Sequence, residues 1–212
     1  MKLFKTALSA LLLCIAMPAA TALAATPTRT VLLVGDSLSS AHRVPVESGW
    51  VSRLERRLQT TTAAPPAIVN ASRDGKTMAH ALAELPDLLA RNHPQAVILE
   101  LGGNDAILGA SETQLRQDLS RLIDMAHGAG ARVAVLGFEI PPKLDHDQCA
   151  ARLRGVYRQV AHDKHVVLLP SLMAGVSDKP ALLLDDGVHP TAAAQALVLE
   201  NAWRTLKPFL LD

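Results

Sequence analysis

Short apolar runs alternate along this chain with longer stretches in which apolar residues recur every three or four positions. Five runs are continuously apolar and rich in β-branched residues, namely Thr30–Val34, Ala67–Val69, Ala96–Leu101, Arg132–Leu136 and His165–Leu169. Continuous rather than alternating apolarity is typical of strands that are buried on both faces, as in a parallel sheet. The pattern therefore predicts five strands of one parallel sheet.

Helical periods fill the stretches between these runs. Their apolar positions are Trp50, Leu54 and Leu58; Met78, Leu82, Leu85 and Leu89; Leu115, Leu119, Leu122, Ile123 and Ala126; a weaker stripe over 148–161; and Ala194, Leu197, Val198, Ala202, Leu206 and Phe209. Strands that alternate with helices predict a three-layer α/β/α domain with a flavodoxin-like sheet in the order 2-1-3-4-5. In that order the first and third strands are neighbours, and their carboxyl ends border the crevice where ligands bind.

Residues 1–24 have the pattern of a cleaved secretory signal peptide. Lys2 and Lys5 give the positive start, Ala7–Met17 the apolar segment, and Ala22–Ala24 the small-x-small cleavage site. A proline follows the apolar segment, which is shorter than the roughly 20 residues that span a bilayer. We therefore expect a periplasmic or secreted protein with no stable membrane anchor.

Composition adds that residues 25–212 form one domain. About half of the chain is hydrophobic, at 49%, while aromatic residues make up 3%, so aliphatic side chains must fill the core. The formal charge is +1 and falls to about −1 without the signal peptide, which gives no electrostatic case for nucleic acid or an anionic membrane as partner. We expect a monomer. Cys149 is the one cysteine of the mature chain and is interpreted as a partly buried helix residue rather than a reactive thiol.

Two of the predicted strands end in motifs that carry reactive or polar side chains. Gly35–Leu38 (Gly-Asp-Ser-Leu) follows the first strand, and Gly102–Asp105 (Gly-Gly-Asn-Asp) follows the third. A hydroxyl at the end of a buried strand faces the crevice, so Ser37 is a candidate nucleophile. The alternative is that Asp36 or Ser37 caps the next helix.

A histidine late in the chain can supply the base that a serine hydroxyl requires. His189 follows Asp186 by three positions, so both side chains can come from one loop, with Asp186 orienting the imidazole. Asp185 competes for that orienting role. Pro190 suits the first position of the final helix, which would place His189 at the helix entrance. A turn that merely caps this helix is the alternative.

Acyl transfer also needs donors for the oxyanion of its tetrahedral intermediate. The Asn104 side-chain amide, the backbone amide of Ser37 and the backbone amide of Gly75 are the candidates, although Gly75 can equally be an ordinary turn glycine. Asp145–Asp147 (Asp-His-Asp) reads as a solvated loop rather than a metal site. For the remaining histidines, surface or turn roles suffice: His42, His80, His93, His127, His162 and His165.

Four blocks resemble the SGNH, or GDSL, hydrolase superfamily and occur in the order of that family. They are Gly35–Ser39 with the nucleophile serine, Gly75 at the oxyanion glycine, Gly102–Asp105 with the oxyanion asparagine, and Asp186–Pro190 with the acid and base. Within the family the chain is most similar to the periplasmic thioesterase I group of arylesterases, acyl-CoA thioesterases and lysophospholipases. The resemblance implies a catalytic triad of Ser37, Asp186 and His189 and favours Asp186 over Asp185.

The resemblance further implies a serine esterase that acts on a small acyl ester or lipid and needs neither a metal nor an organic cofactor. The chain departs from the group at Ile140–Asp145, where a double proline usually continues with Asn-Tyr-Gly, and at Ala106–Gly109. We expect Ile107, Leu108 and Leu144 to form the apolar edge of the acyl site. A carbohydrate O-deacetylase and a non-catalytic flavodoxin-like binding module are the alternatives.

Overall fold

The computed structural model describes residues 29–212, so the predicted signal peptide lies outside the described residues. The strands are β1 (Thr30–Gly35), β2 (Ala67–Asn70), β3 (Ala96–Glu100), β4 (Arg132–Leu136) and β5 (Val167–Leu169). The helices are α1 (Trp50–Thr61), α2 (Met78–Asn92), α3 (Gly103–Ile107), α4 (Glu112–Gly128), α5 (Cys149–Asp163) and α6 (Gln195–Leu211).

All four strand pairings are parallel, and the strand order is β2-β1-β3-β4-β5. This confirms the predicted fold class and sheet order. The register of the central pair sets Gly35 opposite Glu100, so the chain leaves β1 and β3 at the same level. Both strands are buried along almost their whole length, as continuous apolarity predicts.

Helices cover both faces of the sheet. On one side α1 packs against α6, and on the other α2 packs against α4, which packs against α5. The core between these layers includes Leu33 and Ile98 of the central strands, Trp50 of α1 and Tyr157 of α5, all almost completely buried. No helix within residues 29–212 is both long enough and apolar enough to span a bilayer.

The final helix begins later than predicted. The chain after His189 is held against the preceding segment, because the Leu184 amide donates to the His189 carbonyl and the Thr191 amide donates to the Leu182 carbonyl, both at 2.8 Å. Pro190 therefore lies in an antiparallel bridge with Leu183 rather than at the first helical position, and α6 starts five residues on, at Gln195. His189 consequently lies in a loop that is fixed by its own backbone hydrogen bonds.

Other boundaries differ by less. β3 ends one residue early, and β5 begins at Val167 because His165 adopts a left-handed backbone, with φ of 53°, that cannot continue a strand. The short helix α3 was not predicted, since five residues are too few for a helical period. Cys149 is a free thiol, buried as the first residue of α5.

Packing at the end of β4 yields a test of the fold. A Cβ atom added to Gly137 would lie 2.4 Å from the Pro170 carbonyl oxygen, whereas one added to Gly128 in α4 would meet open space. We expect Gly137→Ala to lower the free energy of unfolding by about 1–3 kcal/mol through overpacking. Gly128→Ala, the matched control, should leave it unchanged or raise it by up to about 1 kcal/mol. Urea denaturation measures both, and equal effects would contradict the close approach at Gly137.

Candidate active site

The candidate residues meet at the carboxyl edge of the sheet. Ser37 follows β1 by two residues, and Asn104 lies in α3, shortly after β3. Since β1 and β3 are neighbours, both residues border one crevice. The loop before α6 brings His189 to the same place, and these three residues line a cleft of about 230 Å³.

His189 connects Ser37 to Asp186 through its two ring nitrogens. Its Nε2 lies 2.8 Å from Ser37 Oγ, and its Nδ1 lies 2.9 Å from Asp186 Oδ2. The other carboxylate oxygen of Asp186 accepts hydrogen bonds from the backbone amides of Val188 and His189, at 2.8 and 3.0 Å. The loop backbone thus fixes the carboxylate that holds the ring.

Asp186 is an anion at any physiological pH. Burial raises its pKa, but hydrogen bonds from the backbone amides of His189 and Val188 and from the His189 ring outweigh burial and lower the pKa to about 2. A carboxylate in this state accepts from the Nδ1 hydrogen, which leaves Nε2 free to accept a proton from a hydroxyl. The arrangement can therefore perform general-base chemistry on Ser37.

Asp185, the competing candidate, does not contact His189. Its side chain is 76% exposed and accepts a hydrogen bond from Arg43 at 2.6 Å. The same guanidinium nitrogen lies 3.8 Å from Asp186 Oδ2. Adjacent acidic residues thus have separate contacts, one with an arginine at the surface and one with the imidazole.

Two of the three predicted oxyanion donors are backbone amides that make no hydrogen bond within the described residues. Among residues 29–212, neither the Ser37 amide nor the Gly75 amide finds an acceptor. Gly75 has φ of 68°, and a side chain there would meet open space, so the left-handed backbone rather than crowding explains the glycine. Ser37 lines the cleft, whereas Gly75 is not among the residues that line it. An unpaired amide that borders a cleft is suited to bind a negatively charged oxygen.

The Asn104 amide, the third predicted donor, is already engaged. Its Nδ2 donates to Asp36 Oδ2 and to the Lys76 carbonyl oxygen, both at 3.1 Å. An oxyanion in the cleft would have to share one of these two hydrogens. The same bonds connect Asn104 to the residue before Ser37 and to the residue after Gly75, so one amide links both segments that carry the free backbone donors.

A buried pair of carboxyl groups lies behind Ser37. Glu100 is completely buried, and its Oε2 accepts a hydrogen bond from Ser39 Oγ at 2.8 Å. Burial and the nearby Asp36 carboxylate hold the pKa of Glu100 well above its usual range, and burial raises the pKa of Asp36 to about 6. Glu100 therefore keeps its proton to a higher pH than an exposed carboxyl group does, which limits the pH range in which two adjacent charges lie in the core.

Two of the three residues expected at the apolar edge of the acyl site lie at this cleft. Ile107 and Leu144 line it, together with Phe138 and Val188, which were not predicted. Leu108 does not line it: the side chain is 77% exposed and borders a separate depression. The α3 helix explains the difference, because consecutive residues of a helix point about 100° apart.

A second, larger depression of about 640 Å³ lies on the other side of the loop that carries Leu144. Its charged lining is Glu139, Asp145, Arg154 and Asp178. The Ser177 hydroxyl there donates to a backbone carbonyl and has no histidine partner. Size alone favours this depression, but the chemically competent groups line the smaller cleft, which is therefore the candidate site.

One group of possible metal ligands comes together within residues 29–212. Ligand atoms of His42, Asp186 and His189 lie within 4.8 Å of one another. Both ring nitrogens of His189 already have hydrogen-bond partners, so a cation would have to displace Ser37 or Asp186. The Arg43 charge beside Asp186 further opposes a cation, and the geometry suits proton transfer better.

The sequence interpretation missed His42, which was assigned a surface or turn role. Its ring centroid lies 4.2 Å from that of His189, at an interplanar angle of 40°. Its Nδ1 lies 2.5 Å from Asp74 Oδ2. No motif or spacing signals this contact, because it joins a loop after β1 to a loop that is distant along the chain.

Comparison with known proteins assigns the chain to a family. Residues 33–197 match the model of the GDSL-like Lipase/Acylhydrolase family. The chain belongs to this GDSL family. Esterase TesA of Pseudomonas aeruginosa is 41% identical over 182 residues, which cover 86% of this chain and 90% of that protein. Thioesterase 1/protease 1/lysophospholipase L1 of Escherichia coli K12 is 33% identical and covers 85% of each.

A solved structure of TesA superimposes with a TM-score of 0.82, at 40% identity, and covers 86% of this chain and all of the solved one. The resemblance to GDSL hydrolases and the predicted fold are thus confirmed. Like other GDSL proteins, this chain is a hydrolase of ester bonds.

The buried carboxyl pair predicts a pH-dependent stability. Because the pKa of Glu100 is raised in the folded state, unfolding above about pH 4.3 releases a proton, and stability falls as pH rises towards the folded-state pKa. Glu100→Gln removes this linkage. The unfolding free energy of the variant minus that of the wild type should therefore increase by up to about 1.4 kcal/mol per pH unit between pH 5 and 7. Urea denaturation across this range measures the difference, and a constant difference would contradict a raised pKa of Glu100.

Proposed function

We propose that this GDSL hydrolase is an exported serine esterase that cleaves carboxylic esters and thioesters through an acyl-enzyme. Ser37 Oγ attacks the carbonyl carbon while His189 Nε2 accepts the hydroxyl proton. The leaving alcohol or thiol takes that proton from His189, and a water molecule then releases the acyl group by the same route. The observation that carries this proposal is the continuous hydrogen-bonded path from Ser37 through His189 to Asp186.

The oxyanion is assigned to Ser37, Gly75 and Asn104. Two free backbone amides support the assignment, and the Asn104 amide would exchange or share one of its present acceptors. The two backbone amides are preorganised, so they need not rearrange when charge develops in the transition state. Asn104 differs from the two backbone amides because the oxyanion must compete with Asp36 and the Lys76 carbonyl oxygen for its amide hydrogens.

The cleft is proposed to hold the part of the acyl group next to the ester carbonyl, while the rest of a longer substrate lies outside it. The cleft of about 230 Å³ is below the usual range for drug-sized ligands, and its apolar lining includes Ile107, Phe138 and Leu144. Lys143 donates a hydrogen bond to the Asp186 carbonyl oxygen, so the loop with Leu144 is attached to the loop with His189.

Export is part of the proposal and rests on the amino-terminal pattern. Acyl-CoA is largely cytoplasmic, so an exported enzyme would meet lysophospholipids or other fatty esters instead. The E. coli relative is named both a thioesterase and a lysophospholipase, which supports a site that accepts more than one leaving group.

Variants of the triad test the proposed function. Ser37→Ala should lower kcat/KM for p-nitrophenyl butyrate on the order of 10⁴-fold or more and abolish labelling by a fluorophosphonate probe. Asp186→Asn should lower kcat by roughly 10²–10⁴-fold, because the imidazole loses its orienting carboxylate. Asp185→Asn is the matched control and should stay within severalfold of the wild type. A wild type that neither hydrolyses the ester nor takes up the probe would refute the proposal.

Asn104 has its own test. Asn104→Ala should lower kcat by roughly 10²–10³-fold, the usual loss for one oxyanion donor, with little change in KM. Steady-state kinetics on the same ester measure this effect, and the melting temperature controls for the lost contacts with Asp36 and Lys76. An unchanged kcat in a folded variant would remove Asn104 from the oxyanion hole.

A further inference from the structure

The turn between β1 and α1 has an unusual backbone. Ala41 and Arg43 both adopt left-handed conformations, with φ of 66° and 54°, although neither is glycine or asparagine. Such conformations are unfavourable for residues with a β-carbon and persist where the surroundings hold them. They enclose His42 on both sides. The strained turn therefore presents His42 and Arg43 in fixed directions.

Both side chains are directed at the acid–base loop. The His42 ring lies against the His189 ring at 4.2 Å between centroids, tilted by 40°. Arg43 donates to Asp185 and lies 3.8 Å from Asp186 Oδ2. Residues from one short turn thus contact the imidazole and the carboxylate of the triad, although neither belongs to the triad itself.

Asp74 fixes His42 from the opposite direction. It accepts hydrogen bonds from His42 Nδ1, at 2.5 Å, and from the Ser40 hydroxyl. Burial raises the pKa of Asp74, but the hydrogen bonds from Ser40 and His42 outweigh burial and lower it. An ionised Asp74 accepts the Nδ1 hydrogen of His42 and leaves the ring little freedom to turn. Asp74 directly precedes Gly75, so the contact also joins this turn to an oxyanion segment.

The hydrogen bonds of His189 show why a contact on its ring face matters. Asp186 and Ser37 hold the ring through its edge, at Nδ1 and Nε2. Once Ser37 carries an acyl group, its oxygen has no proton to donate, and the hydrogen bond to Nε2 is lost. In that intermediate the edge of the ring is held by Asp186 alone. The His42 ring then restricts rotation of His189 while water is activated.

We propose that His42, anchored by Asp74, is a positioning residue that holds the His189 ring in the acyl-enzyme and so serves deacylation. This inference rests on the proposed serine esterase mechanism. It assigns His42 no contact with the substrate. The functional group is the face of an aromatic ring rather than a titrating nitrogen, and this distinction determines which substitutions preserve activity.

The kinetic consequence differs from that of a general structural defect. When deacylation slows, acyl-enzyme accumulates, so kcat and KM fall together while kcat/KM is preserved. His42→Ala should lower kcat by roughly 10–10²-fold on p-nitrophenyl butyrate, as expected for a misplaced catalytic group. KM should fall in parallel, and kcat/KM should stay within about threefold of the wild type. A damaged fold would instead lower kcat/KM.

Two further variants separate the ring from its hydrogen bond. His42→Phe keeps an aromatic face but cannot donate to Asp74, and it should retain kcat within about threefold. His42→Gln keeps a donor for Asp74 but lacks the ring, and it should behave like His42→Ala. His162→Ala is the control, because His162 is 83% exposed on α5 and lies outside the site. Melting temperatures show whether each variant folds. EDTA in the assay prevents metal ions from binding to His42, Asp186 and His189.

The outcomes are distinguishable. Parallel losses of kcat and KM in the alanine and glutamine variants, with rescue by phenylalanine, support the inference. An unchanged kcat in His42→Ala, a loss confined to kcat/KM, or a phenylalanine variant as impaired as alanine would overturn it. A wild type that shows no ester hydrolysis and no probe on Ser37 would instead refute the mechanism on which the inference rests.

Discussion

Parallel pairing between β1 and β3 is the constraint on which the site depends. The register that sets Gly35 opposite Glu100 makes both strands end at one level, and the loops after them must then share a crevice. Ser37 enters from one loop and Asn104 from the short helix after the other. A shift of this register would move Ser37 away from Asn104 and would also disturb the packing of both buried strands. The register of the central pair therefore brings the candidate residues together.

The crevice contains two carboxyl groups, Asp36 and Glu100, whose burial is unfavourable. Asp36 and Glu100 lie between the two strand ends, and burial raises the pKa of both carboxyl groups. Asp36 nevertheless accepts one of the two hydrogen bonds from the Asn104 amide. An apolar pair would give a more stable core but would leave this amide only the Lys76 carbonyl oxygen as an acceptor. We interpret the two carboxyl groups as a feature that lowers the stability of the fold but helps to preorganise the site.

Predictions from the sequence were confirmed for the features that depend on the pattern of neighbouring residues. Buried strands have continuous apolarity, and helices have their period, so these elements followed from residues near one another in the chain. The fold class and the sheet order followed from the rules for strands that alternate with helices. The start of α6 did not, because the bridge between Leu183 and Pro190 is a tertiary contact that delays the helix. Leu108 lies away from the cleft because the α3 helix, too short to leave a period, turns this side chain away from Ile107. His42 was overlooked because its partners, Asp74 and His189, adjoin it only in the folded chain.

The proposed acyl-enzyme mechanism requires Ser37 to carry the acyl group during turnover. Acid quenching of the wild type within milliseconds of mixing with p-nitrophenyl butyrate, followed by peptide mass spectrometry, detects such an intermediate. We expect one butyryl group on the peptide that contains Ser37, located to that serine by fragmentation and absent from Ser37→Ala. Hydrolysis that proceeds with no acylated peptide, or with the acyl group on Ser39 or Ser40, would contradict it.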